Sequence, residues 1–551
     1  METHPIERGV SAIHLVGVIP LNVGSVLEIG SVTDQLRESF LRRNPATSWT
    51  HERSLPSDDH HEYGAILLRA SGYEARKATV TLKAVRRLLS IGGVLIFELP
   101  NPAHWYGLFL ALSGATSDSA SPITDWLFPV SMEALDQGFA DAGMMLRRAQ
   151  VVRVALPDAV SEMVDRICRA ELFGRELSAE RVKARLAERS YILSACFPKQ
   201  AENGRRHGIT HSVRLTIAVL AMAPSFADVR TKLPLAAFAS LPDVEVIYIE
   251  KQGNLPSLPI DQAKVLVVQR QLPDNEDAWR SVIGRLHEKG WAVIAEWDDH
   301  PDLFAAPIRA KFDKAPWASV RLADAVQTST SALGREIRRQ GCEDVIVFDN
   351  RLLELPEVTS EHRDNAVRIL LSGLNRTAEF LNVVEQLNEL IARGHSLDLT
   401  VVQDRVVYDA IKSPKKTFFP HLKYDEYNIV IRRCNVVLMP LFDSLGNRCK
   451  SDLKWVECAS HGMACIGSRV VYGETIRHGI DGLVADEVAD FGGHVLTLIK
   501  MPGLITSLGE AARLRVANER MLYQVVEERI SWYLSVWERV TAARLTVAAD
   551  E

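Results

Sequence analysis

A repeated alternation of short apolar segments with longer amphipathic ones constrains the fold of this chain most. Short apolar runs bounded by turn residues are typical of buried β-strands, and the stretches between them have helical periodicity. The first block contains four such runs, SVLEIG (25–30), YGAILL (63–68), GGVLIFELP (92–100) and YILSAC (191–196). Strands that alternate with helices in this way predict a parallel sheet with helices on both faces. One of these helices, within KAVRRLLSIGG, is predicted to end at Gly92–Gly93.

The same alternation returns twice after a polar stretch, KQAENGRRHG (199–208), which we interpret as a linker. The second block has the strand candidates VRLTIAVLAM (213–222), VEVIYI (244–249), KVLVVQ (264–269), WAVIAEW (291–297), AVQTST (325–330) and VIVFDN (345–350). The third block has RILLSG (368–373), LDLTVVQ (397–403), KTFFPHL (416–422), NVVLMPL (435–441) and MACIGS (463–468). Three such blocks predict an α/β protein with three Rossmann-like domains, in which ligands bind beyond the carboxyl ends of the strands.

Composition narrows the kind of protein that carries this fold. The 551 residues are enough for several domains, and 47% hydrophobic with 24% charged residues is ordinary for a globular protein. The net charge of −6 gives no general attraction to nucleic acid or anionic lipid, so any anion site must be local. Seven cysteines without a Cys-x-x-Cys pair argue against zinc clusters and favour a reducing compartment.

The N-terminal segment does not have the pattern of a secretory signal. METHPIERGVSAIHLVGVIPL has acidic residues where a signal peptide needs basic ones, and its apolar run is short. No run in the chain approaches the length of a transmembrane helix. We therefore expect a cytoplasmic protein and leave open a peripheral association with the inner membrane.

One segment of the third block, NRCKSDLKWVECASHG (447–462), carries charges that conflict with its predicted structure. Ser451 is a candidate N-cap and Gly462 a candidate stop, which predicts a helix between them. Lys450 and Lys454 then lie at the positive end of the helix dipole, where cations are disfavoured. A bound polyanion would remove this conflict, because lysines and backbone N–H groups would hold it together.

A carboxylate deeper along the same helix indicates what kind of polyanion would fit. Glu457 could accept two hydrogen bonds from a vicinal diol just beyond the anion. A phosphate next to a diol describes a nucleotide, with the diphosphate at Arg376 and Lys450 and the ribose at Glu457. The alternative is a solvated helix face on which Lys454 and Glu457 form a surface pair.

Five segments of the chain follow the order and spacing of a known family pattern. They are VIVFDNRL (345–352), SGLNR (372–376), KSDLKWVE (450–457), HGMACIGS (461–468) and YGETIRHGIDGLV (472–484). Together they resemble the retaining glycosyltransferases of group 1 (family 4), which have the two-lobed GT-B fold. The similarity covers roughly residues 212–540.

The resemblance implies a metal-independent transfer of a sugar from a nucleoside-diphosphate sugar, with retention of configuration. No protein nucleophile is firmly established for the family, and none is named here. Stabilisation of the leaving group by fixed cations is the expected main catalytic contribution. The catalytic residues that the resemblance implies are Arg376, Lys450 and Glu457. The donor-binding residues that it implies are Gly373, Asn375, Arg376, Asn447, Lys450, Ser451, Lys454 and Glu457.

The chain departs from the family pattern at one position of this site. The family has two glutamates seven residues apart, and Glu457 matches the second of them. The first falls at Cys449, which is not acidic. A bacterial subgroup has Asn-x-x-Lys-Ser-x-x-Lys-x-x-Glu, which matches the order here and implies that Asn447 and Lys450 take over donor contacts.

The second block corresponds to the acceptor lobe in this resemblance. EWDDHPDLF (296–304) follows a strand, and it offers Asp298, Asp299 and His300 as contacts to the acceptor or the donor sugar. Such an Asp-rich loop is equally consistent with an N-cap and turn cluster. Arg230 is a further candidate contact, with a solvated loop as its alternative.

The first block resembles a class I S-adenosylmethionine-dependent methyltransferase over roughly residues 20–200. The resemblance is carried by SVLEIG, YGAILL and LLSIGGVLIFELP, and it implies Glu28 and Gly30 as cofactor contacts. The residues that follow Gly30 are Ser31, Val32 and Thr33, whereas a cofactor loop that needs close backbone approach is usually rich in glycine. We therefore expect a retained fold that does not bind the cofactor, with an active methyltransferase as the alternative.

These expectations combine into one organisation of the chain. We expect a methyltransferase-like domain at 1–200 with a helical insert at 157–188, a linker at 201–211, an acceptor lobe at 212–355, a donor lobe at 356–520 and a C-terminal helix at 521–551 that packs back on the acceptor lobe. The expected function is glycosyl transfer to a glycan, lipid-linked or protein acceptor, with no required cofactor and no nucleic-acid partner. The alternatives are a bifunctional methyltransferase–glycosyltransferase and a non-catalytic scaffold of a glycan assembly complex.

Overall fold

The computed structural model of the chain describes residues 14–30, 34–53, 56, 61–69, 85, 87–100, 144–153, 158–169, 180, 183, 187–196, 213–221, 228–250, 254–357, 366–373 and 376–550. The predicted linker at 201–211, the loop of Ser31, Val32 and Thr33, half of the predicted insert and the candidate residue Asn375 lie outside these ranges. The chain divides into two compact units. One comprises Met1–Val213 with Ala239–Val244, and the other comprises Arg214–Phe238 with Glu245–Glu551.

The first unit contains one six-stranded sheet. Its strands are β1 Ser25–Ile29, β2 Ser48–Glu52, β3 Tyr63–Arg69, β4 Leu89–Pro100, β5 Met145–Arg153 and β6 Glu188–Cys196, in the order β2-β1-β3-β4-β6-β5. Strands β1 to β4 are parallel, whereas β6 runs antiparallel to both β4 and β5. The strand order reverses between β1 and β3, which makes the end of β1 the switch point of this sheet.

The second unit contains two six-stranded sheets, each the centre of one lobe. The β7–β12 lobe has β7 Leu215–Ala221, β8 Val244–Glu250, β9 Lys264–Gln269, β10 Ala292–Trp297, β11 Ala325–Thr328 and β12 Val345–Val347, in the order β12-β11-β10-β9-β7-β8. The β13–β18 lobe has β13 Arg368–Ser372, β14 Asp398–Val402, β15 Lys416–Phe419, β16 Val436–Met439, β17 Ala464–Ser468 and β18 Leu483–Ala485, in the order β15-β14-β13-β16-β17-β18. All five strand pairs of the second of these sheets are parallel.

The helices connect these strands. They are α1 Asp34–Arg43, α2 Asp158–Arg169, α3 Leu233–Ala239, α4 Glu276–Glu288, α5 Ala306–Phe312, α6 Ala318–Arg321, α7 Ser331–Arg339, α8 Thr377–Ala392, α9 Arg405–Ala410, α10 Tyr424–Ile431, α11 Leu445–Arg448, α12 Leu453–Ser460, α13 Arg469–Thr475, α14 Phe491–Lys500, α15 Pro502–Glu519 and α16 Val526–Asp550. Among the described residues no single helix is long and apolar enough to cross a membrane; Val488–Lys500 and Pro502–Glu519 meet that length and composition only as a pair bent by 107°.

Both faces of the β13–β18 sheet are buried. Ile369 and Leu371 pack into one apolar cluster, whereas Leu370, between them, packs into another on the opposite face. Successive side chains of a strand point to opposite faces, so continuous apolar runs such as RILLS are required when helices cover both sides. The predicted fold class, α/β with three Rossmann-like sheets, is confirmed.

Three strands were not predicted, and all of them lie at sheet edges. They are β2, β5 and β18. An edge strand pairs on one side only and need not be apolar, and the exposed and half-buried residues of SWTHE in β2 illustrate this. The helix predicted to end at Gly92–Gly93 is also corrected, because β4 already begins at Leu89.

Helix α16 returns to the β7–β12 lobe from the C-terminal end of the chain. The hydroxyl of Tyr533 donates to Gln327 Oε1 at 2.7 Å, and Trp537 Nε1 donates to the carbonyl of Gly290 at 3.0 Å. Both side chains are amphipathic, with a large apolar surface to pack and one polar atom that needs a partner. Helix α16 therefore contacts residues of the β7–β12 lobe that precede it by more than two hundred positions.

Candidate functional site

The carboxyl edge of the β13–β18 sheet contains the switch point of the second lobe. From β13 the chain moves outward to β14 and β15 and then returns to place β16 on the other side of β13. Loops that leave the ends of β13 and β16 therefore separate from each other and open a crevice, which is where open α/β sheets bind ligands. The loop after β13 leads to Arg376, and the loop after β16 leads to Asn447 and Lys450.

Arg376 reaches across this switch point. Its Nη1 lies 3.4 Å from Asn447 Oδ1, to which it donates, and 3.6 Å from Glu379 Oε1. Burial lowers the pKa of Arg376, and the neighbouring Glu379 opposes this shift. At Gly373 an added Cβ would lie 3.1 Å from Arg376 Cγ and 3.2 Å from Phe380, so a larger residue at that strand end would displace the arginine.

The segment from 444 to 462 forms two helices rather than one. Ser444 caps α11 by accepting from Asn447 N at 3.2 Å, and α12 begins only at Leu453. The predicted N-cap at Ser451 is therefore wrong by one position, because the cap residue is Asp452. Ser451 instead accepts a hydrogen bond from Asn350 Nδ2 at 2.8 Å. Lys450 precedes α12 and does not lie on it.

The end of α12 has the expected stop. Gly462 has φ = 76°, in the left-handed region that glycine adopts at little cost. The helix itself ends at Ser460, with His461 as its C-cap. Lys454 and Glu457 both lie within α12, one turn apart.

Lys450 forms an ion pair with the β7–β12 lobe. Its Nζ lies 3.4 Å from Asp299 Oδ1, and the two side chains are only 26% and 21% exposed. Burial lowers the pKa of Lys450, and Asp299 partly offsets this effect. Burial alone would raise the pKa of Asp299, but the charges of Lys450 and Arg270 outweigh it and lower that pKa.

Lys454 and Glu457 turn toward Tyr427 of α10. Lys454 Nζ donates to Tyr427 Oη at 2.5 Å, lies 4.4 Å from the centre of the tyrosine ring, and is 3.7 Å from Glu457 Oε2. Glu457 is buried, and burial raises its pKa despite the nearby ammonium. The interpretation of these two residues as a solvated surface pair is therefore wrong for Glu457, which lies inside the protein.

Cys449 occupies an apolar environment in which a carboxylate would be costly. Its side chain is 1% exposed and packs in the same cluster as Trp297 and Trp317 of the β7–β12 lobe. Burial raises the pKa of the thiol to about 11. Its carbonyl accepts from Thr330 Oγ1 at 2.9 Å, so the residue contributes packing and a backbone contact between the lobes. A carboxylate buried among these apolar side chains would lose its hydration.

The EWDDHPDLF loop places its three candidate residues in two different roles. Arg270 donates from Nη2 to Asp299 Oδ2 at 2.8 Å and from Nε to Asp298. His300 is buried, and its Nδ1 accepts from Asp302 N at 3.2 Å as the N-cap of the short helix Pro301–Leu303. The turn-and-cap alternative thus describes His300, whereas the two aspartates join a charged cluster at the cleft.

Arg230 is enclosed within the β7–β12 lobe. It is 5% exposed, and its guanidinium donates to both carboxylate oxygens of Glu296 at 2.7 and 3.1 Å. It also donates to the carbonyl of Phe348 and to Asn350 Oδ1. Burial would lower the pKa of Arg230, but Glu296 outweighs it and raises that pKa. We infer a structural role, because these four bonds leave little of the guanidinium for a ligand.

The sequence reasoning missed Tyr472, which lies close to the same cations. Its side chain is buried and covers Gly467, where an added Cβ would lie 2.6 Å from Tyr472 Cβ. Burial raises the pKa of Tyr472, and the charges of Arg376 and Lys454 act in the opposite direction. The preceding residue, Val471, has φ = 70° and ψ = −60°, a conformation that β-branched residues almost never adopt, so α13 is interrupted by non-helical backbone at Val470 and Val471. This backbone conformation could not be predicted from composition or periodicity.

In the first unit, Gly30 lies where a ligand of that sheet would bind, whereas Glu28 does not. Gly30 follows β1 at the switch point and has φ = 112°. Its N–H donates to the carbonyl of Glu52 at 3.0 Å, and its carbonyl is 2.9 Å from His51 Nε2. Glu28 is 1% exposed, and Trp49 Nε1 donates to its Oε2 at 3.2 Å. The methyltransferase-like assignment stays a prediction.

Within the described part of the chain, no group of three or more His, Cys, Asp or Glu side chains is arranged to hold a metal ion. Neither a protein-family model nor a curated protein matches the sequence.

Several solved structures align with part of the chain. Sucrose-phosphate synthase from Thermosynechococcus elongatus has a TM-score of 0.43 at 13% identity, covering 60% of this chain and 100% of that one. HepE from Anabaena, in complex with UDP and glucose, has a TM-score of 0.42 at 13% identity, covering 58% and 99%. TarM from S. aureus, in a complex that includes UDP, has a TM-score of 0.38 at 10% identity, covering 49% of this chain.

The chain spans about half of the length of TarM, because 55% of that protein is covered. Identities of 10–13% with TM-scores below 0.5 describe a distant likeness in fold and assign no residue role.

Proposed function

We propose that the second unit is a glycosyltransferase that uses a nucleoside-diphosphate sugar as its donor. One observation carries the proposal: Arg376 and Lys450 lie on the two loops that leave the switch point of the β13–β18 sheet, and Asn447 joins those loops. A crevice at a switch point with two cations on its rim is suited to a phosphorylated ligand. The net charge of the whole chain is negative, so this concentration of positive charge is local.

In this proposal the donor's diphosphate binds between Arg376 and Lys450. The guanidinium presents a planar set of donors to phosphate oxygens, and the ammonium adds a second point charge. Lys454 contributes less than the sequence suggested, because Tyr427 and Glu457 already engage its ammonium. The proposed diphosphate cradle therefore consists chiefly of Arg376 and Lys450. Asn447 positions Arg376, because its Oδ1 accepts from Arg376 and its Nδ2 already donates to the carbonyl of Phe442.

Glu457 is the proposed contact of the ribose. Its carboxyl group is buried one turn beyond Lys454, so a diol that reaches it would be bound out of water. A buried carboxylate that accepts two hydrogen bonds discriminates strongly against ligands that lack the diol, because a buried acceptor without a donor is energetically costly. Binding of the diol would stabilise the charged carboxylate against the effect of burial.

The proposed reaction breaks the bond between the sugar's anomeric carbon and the donor phosphate oxygen. The acceptor's hydroxyl oxygen forms the new bond to that carbon and loses its proton, and the nucleoside diphosphate leaves with the electron pair. Arg376 and Lys450 would stabilise the negative charge that develops on the leaving phosphate. Retention of configuration and independence from metal ions follow from the family resemblance, and no protein nucleophile is proposed.

The acceptor is proposed only by class: a glycan, a lipid-linked oligosaccharide or a protein. Asp298 and Asp299 belong to the lobe that faces Lys450. They are the proposed contacts for hydroxyl groups of the acceptor or of the donor sugar. We propose a cytoplasmic location, with peripheral attachment to the inner membrane as the variant that a lipid-linked acceptor would require. We propose no cofactor for this reaction and no nucleic-acid partner.

Isothermal titration calorimetry with UDP and with GDP tests the proposal. We expect one of the two nucleotides to bind. We expect Lys450→Ala and Glu457→Ala each to lower the affinity for that nucleotide by about tenfold or more, as loss of a charge-assisted or buried hydrogen bond does. Lys412→Ala is the matched control, because Lys412 is an exposed lysine of the same lobe. Absence of binding at millimolar nucleotide by the folded protein would instead favour a non-catalytic scaffold.

One feature of the first unit is compatible with the alternative of a methyl-transfer activity. Gly30 lies at the switch point of its sheet with a positive φ, which permits close approach of a ligand to the backbone. Calorimetry with S-adenosylmethionine distinguishes the two alternatives. Binding would support a bifunctional methyltransferase–glycosyltransferase, and absence of binding would support a domain that keeps the fold but does not bind the cofactor. Because Glu28 is already engaged by Trp49, we expect no binding.

A further inference from the structure

Asp299 and Lys450 form an ion pair between the two lobes of the second unit. Lys450 Nζ lies 3.4 Å from Asp299 Oδ1, and the two residues are 151 positions apart in the sequence. Asp299 follows β10, and Lys450 precedes α12. In this pair, Asp299 therefore engages the ammonium of Lys450, which is one of the two cations of the proposed diphosphate site.

Arg270 holds Asp299 from the other side. Its Nη2 lies 2.8 Å from Asp299 Oδ2, while its Nε donates to Asp298. Arg270 itself has φ = 44°, in the left-handed region that is unfavourable for a non-glycine residue. Bonds to two carboxylates fix the guanidinium, and the guanidinium in turn fixes the position of Asp299.

The two carboxylates of this cluster already engage two cations without a ligand, and Arg376 lies near enough to act on both Lys450 and Asp299. Arg270 and Lys450 supply two positive charges, and Asp298 and Asp299 supply two negative ones. A diphosphate at Lys450 would bring further negative charge next to Asp299. Like charges at close range in a partly buried site repel each other strongly, so the ammonium cannot serve both partners equally well.

We infer that Asp299 is a built-in competitor of the donor's diphosphate: it occupies Lys450 in the nucleotide-free cleft and is displaced when the donor binds. This inference rests on the proposed function. Arg270 keeps the displaced carboxylate at the cleft, where it accepts hydrogen bonds from hydroxyl groups of the donor sugar or the acceptor. The same side chain therefore lowers the affinity for the nucleotide and contributes to the transfer step.

The test compares the UDP and GDP affinities of the wild type with those of Asp299→Asn, using calorimetry at low and high NaCl. Removing the competing charge should tighten nucleotide binding about twofold to fivefold, the range of a partly exposed ion pair. The difference should shrink at high salt, because screening weakens the competition. Asp302→Asn removes the same charge from the same loop without touching Lys450 and should leave the affinity unchanged.

The transfer step provides a second readout. We expect the rate of nucleotide-sugar consumption at saturating donor to fall in Asp299→Asn although the nucleotide binds more tightly. A purely structural role of Asp299 would weaken binding and rate together, so the opposite changes of affinity and kcat are diagnostic. Asp299→Ala provides a second substitution, and circular dichroism checks that each variant is folded.

The outcomes separate the inference from the proposed function. Wild-type binding with equal or weaker binding by both folded Asp299 variants overturns the competitor role and leaves the proposed function standing. Binding by Asp299→Asn but not by the wild type supports the competitor role. No binding by any of these proteins overturns the proposed function and this inference with it.

Discussion

At the scale of single residues, Val471 has the backbone conformation that is most at odds with its side chain. Its φ of 70° and ψ of −60° are those of a γ-turn that is rare and strained, whereas the adjacent Val470 has ordinary values of −60° and 122°. Both valines are half-buried. The pair therefore offers a comparison in which side chain and burial are matched and only the backbone conformation differs.

We expect Val470→Gly to destabilise the protein more than Val471→Gly does. Both changes remove a half-buried valine side chain that packs against the same apolar cluster, and both add the same backbone freedom to the unfolded chain. Only the second also relieves backbone strain of about 1–3 kcal/mol. Urea denaturation of the two variants measures the difference in the free energy of unfolding. Equal losses of stability would show that Val471 stores no strain.

The sequence alone was enough to assign some candidate residues to the donor site but not to recognise the structural role of others. Arg376 and Lys450 could be placed at one site because each follows a strand whose position at the sheet edge the α/β pattern predicts. Arg230 could not be separated from them, because its burial depends on Glu296, a residue 66 positions away. The absence of an acid at Cys449 is explained by its side chain, which packs in the core of the opposite lobe, and this contact could not be predicted from the sequence.

At the scale of elements, α12 is anchored by its cap residue rather than by a conventional cap hydrogen bond. Asp452 accepts from Arg520 Nη1 at 2.6 Å and Nη2 at 2.8 Å, and from Thr475 Oγ1 at 2.9 Å. Arg520 also donates to the carbonyl of Asn350. This one carboxylate thus ties the start of α12 to the ends of α13 and α15 and to the segment after β12.

This ion pair predicts how stability depends on pH. Burial alone would raise the pKa of Asp452, but the hydrogen bonds and charge of Arg520 outweigh it and lower the pKa below its ordinary 3.8. A lowered pKa means that the pair stabilises the fold at neutral pH and that this contribution is lost as the pH falls below about 4. We expect Asp452→Asn to cost about 2 kcal/mol at pH 7 and to flatten the loss of stability between pH 5 and 3.

Chemical denaturation at several pH values measures this dependence. Asp443→Asn is the control, since the ion pair of Asp443 with Arg448 is exposed and contributes little. An Asp452→Asn variant that remains as acid-sensitive as the wild type would show that other carboxylates dominate.

Elements were predictable in proportion to their burial. Central strands such as β13 and β16 are apolar on both faces and stand out in the sequence, whereas the edge strands β2, β5 and β18 do not. The division of residues 444–460 into α11 and α12 was also missed. It depends on Ser444 as a cap and on the bonds of Asp452, and neither contact is visible in helical periodicity.

At the scale of the whole second unit, two sheets contribute their ligand-binding edges to one cleft. Three of the contacts that join them are Thr330 to the carbonyl of Cys449 at 2.9 Å, Asn350 to Ser451 at 2.8 Å, and Asp299 to Lys450 at 3.4 Å. The sequence predicts each sheet but not these contacts, because they join loops more than one hundred residues apart. All three fall on residues 449–451, between α11 and α12.

Donor cleavage tests the central claim most directly. Release of UDP or GDP from a panel of nucleotide sugars is followed for the wild type, Lys450→Ala and the control Lys412→Ala. We expect the wild type and the control to release one nucleotide at similar rates and Lys450→Ala to be slower by about a hundredfold, the effect of losing a charge that stabilises a leaving group. Equal rates for the wild type and Lys450→Ala would contradict the assignment of this cleft as the donor site.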